Sequence, residues 1–153
     1  DTWQNTFATN VTGASLVTAA ALPHLESSMG VVAYFSTVAA SLTEPWPGLG
    51  AYAVSKAALD KLVEAWRIEH PRVGFTRIIV GDCAGGEGDA MTQFATDWDP
   101  DLATELGPLW VERRLISGAL LDVDELVKVV RTVISSGASA SIPSVTITPR
   151  RPD

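Results

Sequence analysis

The stretch from residue 31 to residue 80 decides the fold, because two short apolar runs enclose a helix-forming segment. The runs are VVAYFS (31–36) and VGFTRIIV (73–80), and the segment between them contains GLGAYAVSKAALDKL (48–62). Runs rich in β-branched and aromatic residues are typical of strands buried on both faces. We therefore predict strands at 31–36 and 73–80 and a helix from about 51 to 69, joined by a loop over 37–50.

The same alternation continues on both sides of this stretch. Apolar residues at helical spacing predict a long helix over residues 3–28, with Pro23 kinking or ending its last turn. Residues 90–115 predict one or two helices, broken at Asp99–Pro100 and near Gly107–Pro108. A capping-box pattern at 122–125 predicts a helix that ends near residue 135, and SVTITP (144–149) predicts the last strand. Strands that alternate with helices predict an α/β fold with a parallel sheet.

Composition excludes several classes of protein. The chain has 153 residues, of which 46% are hydrophobic and 19% charged, and its net charge is −7. This is a globular profile, and the negative charge argues against a nucleic-acid partner. No apolar run is long enough to span a bilayer, so no membrane association is expected. The single cysteine, Cys83, is expected to be a buried, inert thiol, and it fits a reducing compartment such as the cytoplasm.

Tyr52 and Lys56 stand four residues apart in the predicted helix, which places both side chains on one face. A phenol has a pKa of about 10, and a nearby ammonium group favours its ionised form. The positive end of the helix dipole acts in the same direction on a residue in the first turn. The pair therefore predicts a tyrosine that gives or takes a proton near neutral pH, which carbonyl reduction or alcohol oxidation requires.

Three segments in this order resemble motifs of the short-chain dehydrogenase/reductase family: NVTGASLVTAAALPHL (10–25), GVVAYFSTVAA (30–40) and AYAVSKAAL (51–59). The resemblance implies the C-terminal half of a Rossmann-like, doubly wound parallel sheet, with the first βαβ units absent from the chain. Residues 1–153 would then be a single partial domain. It also implies an oxidoreductase that uses NAD or NADP to interconvert an alcohol and a carbonyl by hydride transfer.

The resemblance implies a role for each matching residue. Asn10 resembles the asparagine that holds a proton-relay water through a main-chain distortion, and Tyr52 resembles the general acid/base. Lys56 resembles the lysine that lowers the tyrosine pKa and binds the nicotinamide ribose. Thr37 takes the place of the serine that orients the substrate, and a two-residue insertion in SLTEPWPG (41–48) would account for its longer interval to Tyr52. Ser36 and Ser41 are the alternatives to Thr37.

The segment after the second strand departs from the family pattern. Gly81–Asp82 stands where Pro-Gly is usual, and Thr92 comes late for the threonine that contacts the cofactor. Gly81 and Thr92 are the cofactor-binding residues that the resemblance implies here, beside Tyr52 and Lys56. Residues 90–118 would form a variable lid over a small-molecule substrate. Several large side chains there could line an apolar pocket or pack in the core: Met91, Phe94, Trp98, Leu109 and Trp110.

A glycine turn that follows a strand directly and opens a helix is missing. GLGAYA (48–53) lies too far from its strand, and GGEG (85–88) carries a glutamate that would repel phosphate. The chain also begins as if inside a helix, so we expect a nucleotide-binding half that was truncated, is disordered or lies on another chain.

A rival hypothesis is a non-catalytic relative or isolated half-domain that acts in assembly. In the family, helices corresponding to 3–28 and 51–69 commonly pack in a dimer, which implies a homo-oligomer. No metal site is predicted, because His24 and His70 each lack a second histidine at ligand spacing. A hydrolase is not supported, since no Gly-x-Ser-x-Gly elbow is present.

Overall fold

Three parallel strands form one open sheet in the order β1-β2-β3, with helices flanking it. The computed structural model of the chain describes residues 2–83, 85, 98–116 and 118–150. The strands are β1 (Val31–Thr37), β2 (Gly74–Val80) and β3 (Ser144–Ile147). The helices are α1 (Thr2–Phe7), α2 (Ala14–Ser28), α3 (Gly50–Glu69), α4 (Pro100–Glu112) and α5 (Val123–Ile134). The α/β prediction with a parallel sheet is therefore confirmed.

The central strand β2 sets the register of the sheet. Val31 of β1 lies opposite Gly74, and Arg77 lies opposite Ser144 of β3. All three strands therefore run in the same direction, and their carboxyl ends meet at one edge of the sheet. Helix α3 connects β1 to β2, and its Arg67 donates hydrogen bonds to the carbonyl oxygens of Phe75 and Pro143.

The main core lies between α3 and the sheet. Its buried members come from β1, α3, the α3–β2 connection and β2: Tyr34, Leu59, Val63, Val73 and Phe75. Helix α2 joins this face through Thr18, whose hydroxyl lies 2.5 Å from the Tyr34 hydroxyl. Because strand side chains alternate, Ile78 points to the opposite face from Phe75. Ile78 is fully buried, so that face is covered as well.

The predicted helix over 3–28 is confirmed in extent, but it is not regular. A π-helical segment, Ala8–Gly13, separates α1 from α2 and contains Asn10. Such segments hold an extra residue per turn and locally distort the main chain. Helix α2 continues past Pro23 to Ser28 and ends at Met29, which adopts a left-handed conformation with φ 51°.

The predicted break at Gly107–Pro108 is wrong, whereas the boundary at Asp99–Pro100 is right. Asp99 accepts hydrogen bonds from two backbone N–H groups of the first turn, and Pro100 occupies that turn, where a missing N–H costs little. Pro108 lies inside α4, and the helix continues to Glu112. A proline removes one backbone hydrogen bond. The neighbouring Leu106 is buried, and its packing stabilises α4 across this position.

The remaining boundaries agree with the sequence predictions to within one or two residues, apart from the helix predicted over 90–115. Its first part falls mostly on residues that the structure does not describe. Asp122 caps α5 by accepting a hydrogen bond from the N–H of Asp124, at 2.8 Å. Glu125 does not complete a capping box, because its carboxylate pairs with Lys128 at 2.6 Å. Within the described ranges, no helix is both long and apolar enough to cross a bilayer.

Candidate active site

Two of the predicted catalytic residues, Thr37 and Tyr52, meet where the strands end. Thr37 closes β1, Val80 closes β2, and Tyr52 lies in the first turn of α3. A cavity of about 410 Å³ opens between these elements. Its described lining comes from the ends of β1 and β2, the loop before α3, and the region from α4 to α5: Ser36, Thr37, Val38, Ala39, Trp46, Leu49, Tyr52, Val80, Gly81, Asp82, Cys83, Trp110, Ile116 and Leu120. In α/β sheets, ligands bind beyond the carboxyl ends of the strands.

Of the three candidate hydroxyls, Thr37 is the one that contacts the tyrosine. Its side chain hydrogen-bonds to the Tyr52 phenol, and it accepts a bond of 3.4 Å from the backbone N–H of Ala39. Ser36 also lines the cavity, but its buried hydroxyl has no hydrogen-bond partner among the described residues. Ser41 is exposed in a turn and does not line the cavity.

Lys56 lies on the same face of α3 as Tyr52, with its ammonium nitrogen 5.8 Å from the centre of the phenol ring. That nitrogen donates a hydrogen bond of 2.9 Å to the carbonyl oxygen of Phe35 in β1. Burial lowers the pKa of Lys56, and the negative charge of Asp60 one turn later opposes that decrease. The ammonium group is therefore held against β1 by the Phe35 carbonyl.

The Phe35 carbonyl faces the free edge of the sheet. Gly74 donates from its N–H to the carbonyl of Gly30, so the Gly30 carbonyl points toward β2. Successive carbonyls of a strand alternate between its two sides, which directs the Phe35 carbonyl away from β2. In the described part of the chain β1 pairs only with β2. Lys56 therefore donates a hydrogen bond to an edge carbonyl that pairs with none of the described strands.

The pKa of Tyr52 corrects the sequence prediction. Burial raises the pKa of the phenol above its ordinary value of 10.0, and the hydrogen bond with Thr37 lowers it by a smaller amount. We expected Lys56 and the helix dipole to lower it. Desolvation disfavours the charged phenolate, and the ammonium group that would compensate is engaged by Phe35. In this conformation Tyr52 is a neutral phenol, suited to donate a proton.

Asn10 reaches the tyrosine through a residue that the sequence reasoning missed. Its amide nitrogen donates to the hydroxyl of Ser55 at 3.0 Å, and Ser55 donates to the backbone carbonyl of Tyr52 at 2.7 Å. Ser55 is fully buried, so both hydrogen bonds are shielded from water. Asn10 thus fixes the first turn of α3. The pair lies 45 positions apart, and no spacing rule connects such residues.

Three tryptophans form a cluster at the cavity. Trp110 of α4 lies 5.2 Å from Trp46, between ring centres, and 5.5 Å from Trp98. Trp46 and Trp110 line the cavity, whereas Trp98 supports Trp110. Trp110 was among the candidate pocket residues, but Trp46 was missed, because a tryptophan in a proline-rich loop carries no periodic signal. Leu109 does not line the cavity. Met91 and Phe94 lie outside the described residues, as does the first part of the predicted lid, residues 90–97 of 90–118.

Of the two cofactor-binding positions implied after β2, only Gly81 lies in the described part of the chain. Gly81 lines the cavity, and a Cβ atom there would lie 3.1–3.3 Å from atoms of Thr148 and Pro149. This close approach is by itself a reason for glycine. Thr92 lies outside the described residues. Cys83 is half-buried, and burial and then the charge of Asp122 raise the pKa of its thiol, which keeps it protonated.

The raised pKa of Tyr52 can be measured directly, because the chain contains two tyrosines. In the Tyr34→Phe variant, every phenolate signal belongs to Tyr52. We expect its near-ultraviolet phenolate absorbance to develop only above pH 10, since burial raises this pKa. Stability should fall over the same range, because the unfolded chain releases that proton more readily. Circular dichroism at each pH verifies folding. A midpoint below pH 10 in the folded variant would contradict this reading of the site.

Comparison with known proteins places this geometry in a family. A family profile described as short chain dehydrogenase matches residues 1–100. No curated protein sequence matches the chain significantly. Among solved structures, an alcohol dehydrogenase from the archaeon Thermococcus sibiricus, complexed with 5-hydroxy-NADP, has a TM-score of 0.71 at 18% identity. An NADPH-bound short chain oxidoreductase from Pseudomonas aeruginosa PAO1, with an atypical catalytic center, has a TM-score of 0.69 at 20% identity.

These alignments cover most of this chain but only part of its neighbours. The Thermococcus match spans 99% of this chain and 56% of that protein, and the Pseudomonas match spans 95% and 55%. The TT0495 protein from Thermus thermophilus agrees, with a TM-score of 0.68 at 22% identity over 95% and 59%. The chain thus spans little more than half the length of these structures. Identities this low show the fold alone, but the family profile covers more than half of the 153 residues. The chain belongs to the short chain dehydrogenase family.

Proposed function

We propose that the chain is the catalytic half of an oxidoreductase that uses NAD or NADP to interconvert an alcohol and a carbonyl. The observation that carries this proposal is the hydrogen bond between Thr37 and the Tyr52 phenol at the wall of a ligand-sized cavity. Lys56 lies on the same helix face, with its nitrogen 5.8 Å from the ring centre. Asn10 is joined to the same turn through Ser55.

The chemistry assigned to this chain is proton transfer. In the reduction direction, the carbonyl carbon gains a hydride and the carbonyl oxygen takes the proton of the Tyr52 hydroxyl. The O–H bond of tyrosine breaks as the O–H bond of the alcohol forms. Thr37 orients the oxygen through its hydroxyl. Lys56 stabilises the resulting phenolate by its positive charge. A nicotinamide bound in this site would supply the hydride, and alcohol oxidation would run the proton transfer in reverse.

The described residues fit the nicotinamide end of such a cofactor. The cavity lies at the carboxyl ends of two parallel strands, and the buried Ser36 hydroxyl there lacks a partner among the described residues. Lys56 would bind the ribose hydroxyls once its ammonium leaves the Phe35 carbonyl. The described residues contain no glycine turn between a strand and a helix to receive the pyrophosphate. For this chain we propose the nicotinamide end of the site, with Gly81 and Thr92 as contacts.

A second candidate function is self-association without catalysis. Apolar side chains are exposed on both helices that would form a dimer: Leu16 is 66% and Val17 is 72% exposed on α2, and Ile68 is 83% exposed on α3. Exposed apolar patches on helices mark interaction surfaces. We propose that a homo-oligomer forms through helices 3–28 and 51–69, whether or not the protein is an enzyme.

Cofactor binding separates the two functions. We expect calorimetric titration of the intact protein to show saturable binding of NAD(H) or NADP(H). Lys56→Met should weaken it by about tenfold or more, because hydrogen bonds from a charged donor are lost. Lys61→Met is the matched control, since Lys61 is an exposed lysine of the same helix paired with Glu64. Absence of binding to any of these dinucleotides, with a stable oligomer in sedimentation, would support the assembly role instead.

A further inference from the structure

The cavity beside Tyr52 combines a polar end with aromatic walls. Ser36, Thr37 and Tyr52 bring hydroxyl groups from the end of β1 and the start of α3. Trp46 and Trp110 bring aromatic rings from the loop before α3 and from α4. A volume of about 410 Å³ falls within the range of about 300–1,000 Å³ found for small-molecule sites. Because the hydroxyls would engage the reacting oxygen, the tryptophans face the rest of the substrate.

The aromatic wall is held in place before any ligand binds. The indole N–H of Trp110 donates a hydrogen bond of 2.9 Å to the carbonyl of Pro47. Trp46 packs against the ring at an interplanar angle of 54°, and Trp98 meets it edge-on at 80°. Gly48 lies in the same loop with φ 84°, and a side chain there would clash with Leu106 of α4. The loop and α4 therefore fit together closely, which fixes both tryptophans of the wall.

The charges around the cavity favour a neutral ligand. Among the described lining residues there is no lysine, arginine or histidine, and Asp82 contributes a carboxyl group. An anionic ligand would lose its hydration without gaining a positive partner there. Two cations of the described residues lie beside the cavity. The Lys56 ammonium is held by the Phe35 carbonyl, and Arg114 lines an adjoining cavity of about 220 Å³ that shares Trp46 and Asp82 with the first. Arg114 is therefore the residue that would reverse this preference.

We propose that this cavity binds neutral aromatic ketones and the corresponding alcohols, with Trp110 as the residue that selects an aromatic ring. The proposal rests on the proposed oxidoreductase function, of which it names the substrate class. Rings prefer offset or edge-to-face contact with other rings, and this geometric preference distinguishes an aromatic ligand from a saturated one of similar size. The carbonyl oxygen points toward the Tyr52 and Thr37 hydroxyls, and the ring lies against Trp110 and Trp46.

Three ligands with the same carbon skeleton in their rings test the ring and charge preferences: 2-acetylnaphthalene, its fully saturated ring analogue and 6-acetyl-2-naphthoate. We expect calorimetric titration of the chain to rank the neutral aromatic ketone first. Loss of the aromatic contact should weaken binding by up to about tenfold, and the added carboxylate should weaken it further. Equal or tighter binding of the naphthoate would overturn the charge argument and indicate Arg114. Absence of binding by 2-acetylnaphthalene would overturn the whole proposal.

Substitutions at Trp110 separate ring selection from simple filling of space. Trp110→Phe keeps an aromatic ring and should retain most of the preference for 2-acetylnaphthalene over its saturated analogue. Trp110→Leu keeps apolar bulk and should abolish that preference. Trp3→Leu is the control, because Trp3 does not line the cavity. Identical preferences in the Phe and Leu variants would contradict a role for the ring, and circular dichroism verifies that both are folded.

This experiment fails independently of the proposed function, because binding requires no turnover. If the intact protein binds 2-acetylnaphthalene but does not reduce it, the oxidoreductase proposal is contradicted and the proposed ligand class is supported. Turnover restricted to aliphatic or anionic carbonyls would support the oxidoreductase proposal and contradict the proposed ligand class.

Discussion

Tyr52→Phe is expected to reduce turnover of the intact protein by about 10²–10⁴-fold, the usual contribution of a general acid or base. The substitution removes only the phenol oxygen, which bonds to Thr37 at the cavity wall. Phenylalanine keeps the ring beside Lys56, so the cavity retains its shape. The loss should appear in kcat more than in KM, because the proton transfer occurs in the transition state. Steady-state kinetics with a saturating dinucleotide measure it.

Tyr34→Phe is the matched control for this prediction. It removes the same atom from the other tyrosine, which lies in the core and bonds to Thr18 at 2.5 Å. Thr18 keeps a second hydrogen bond, donated to the carbonyl of Ala14 at 2.9 Å. We expect a modest loss of stability and unchanged kcat. Tyr52→Phe with wild-type turnover would remove Tyr52 from the chemistry, whatever its position in the cavity.

Ile78→Ala should lower the free energy of unfolding by about 2–5 kcal/mol, the typical cost of truncating a buried isoleucine. Ile78 lies in the central strand β2 and is 0% exposed. The surrounding strands and helices cannot collapse fully onto the cavity left by the lost carbons. Since domains of this size are stabilised by only about 5–15 kcal/mol, the change is a large fraction of the total. Urea unfolding monitored by circular dichroism measures it.

Ile68→Ala makes the same chemical change on the surface of α3. Ile68 is 83% exposed, so its truncation in the monomer should change stability by less than about 0.5 kcal/mol. A difference between the two variants of less than about 1 kcal/mol would mean that the face of the sheet carrying Ile78 is not a packed core. A large effect of Ile68→Ala that grows with protein concentration would instead place this residue in the proposed oligomer interface.

The sequence predicted the described strands and most helix boundaries, because hydrophobic periodicity reports directly on which faces become buried. The runs at 31–36 and 73–80 differ by a single residue from β1 and β2. Pro108 shows where such reasoning fails. A proline is a local signal that favours a break, whereas α4 continues because the buried Leu106 packs next to it. Local propensity is weaker than tertiary packing at that position.

Some features of the candidate site follow from the sequence, and others are visible only in the structure. Tyr52 and Lys56 share a face because four residues make about one helical turn, so their proximity follows from the sequence. Ser55 became visible only in three dimensions, where it joins Asn10 to the turn that carries Tyr52. Trp46 likewise is recognised as a wall of the cavity only from its contact with Trp110, which lies 64 positions later in the chain and 5.2 Å away between ring centres.

The sequence by itself determined the α/β class, the order of strands and helices, and the common face of Tyr52 and Lys56. Each of these depends on neighbours within a few residues along the chain. Only the tertiary structure decided that Thr37 contacts the tyrosine, that Lys56 bonds to Phe35, and that burial raises the pKa of Tyr52. These properties depend on desolvation and on partners from distant segments. Folding alone brings those segments together, so no local pattern could have predicted the direction of that pKa shift.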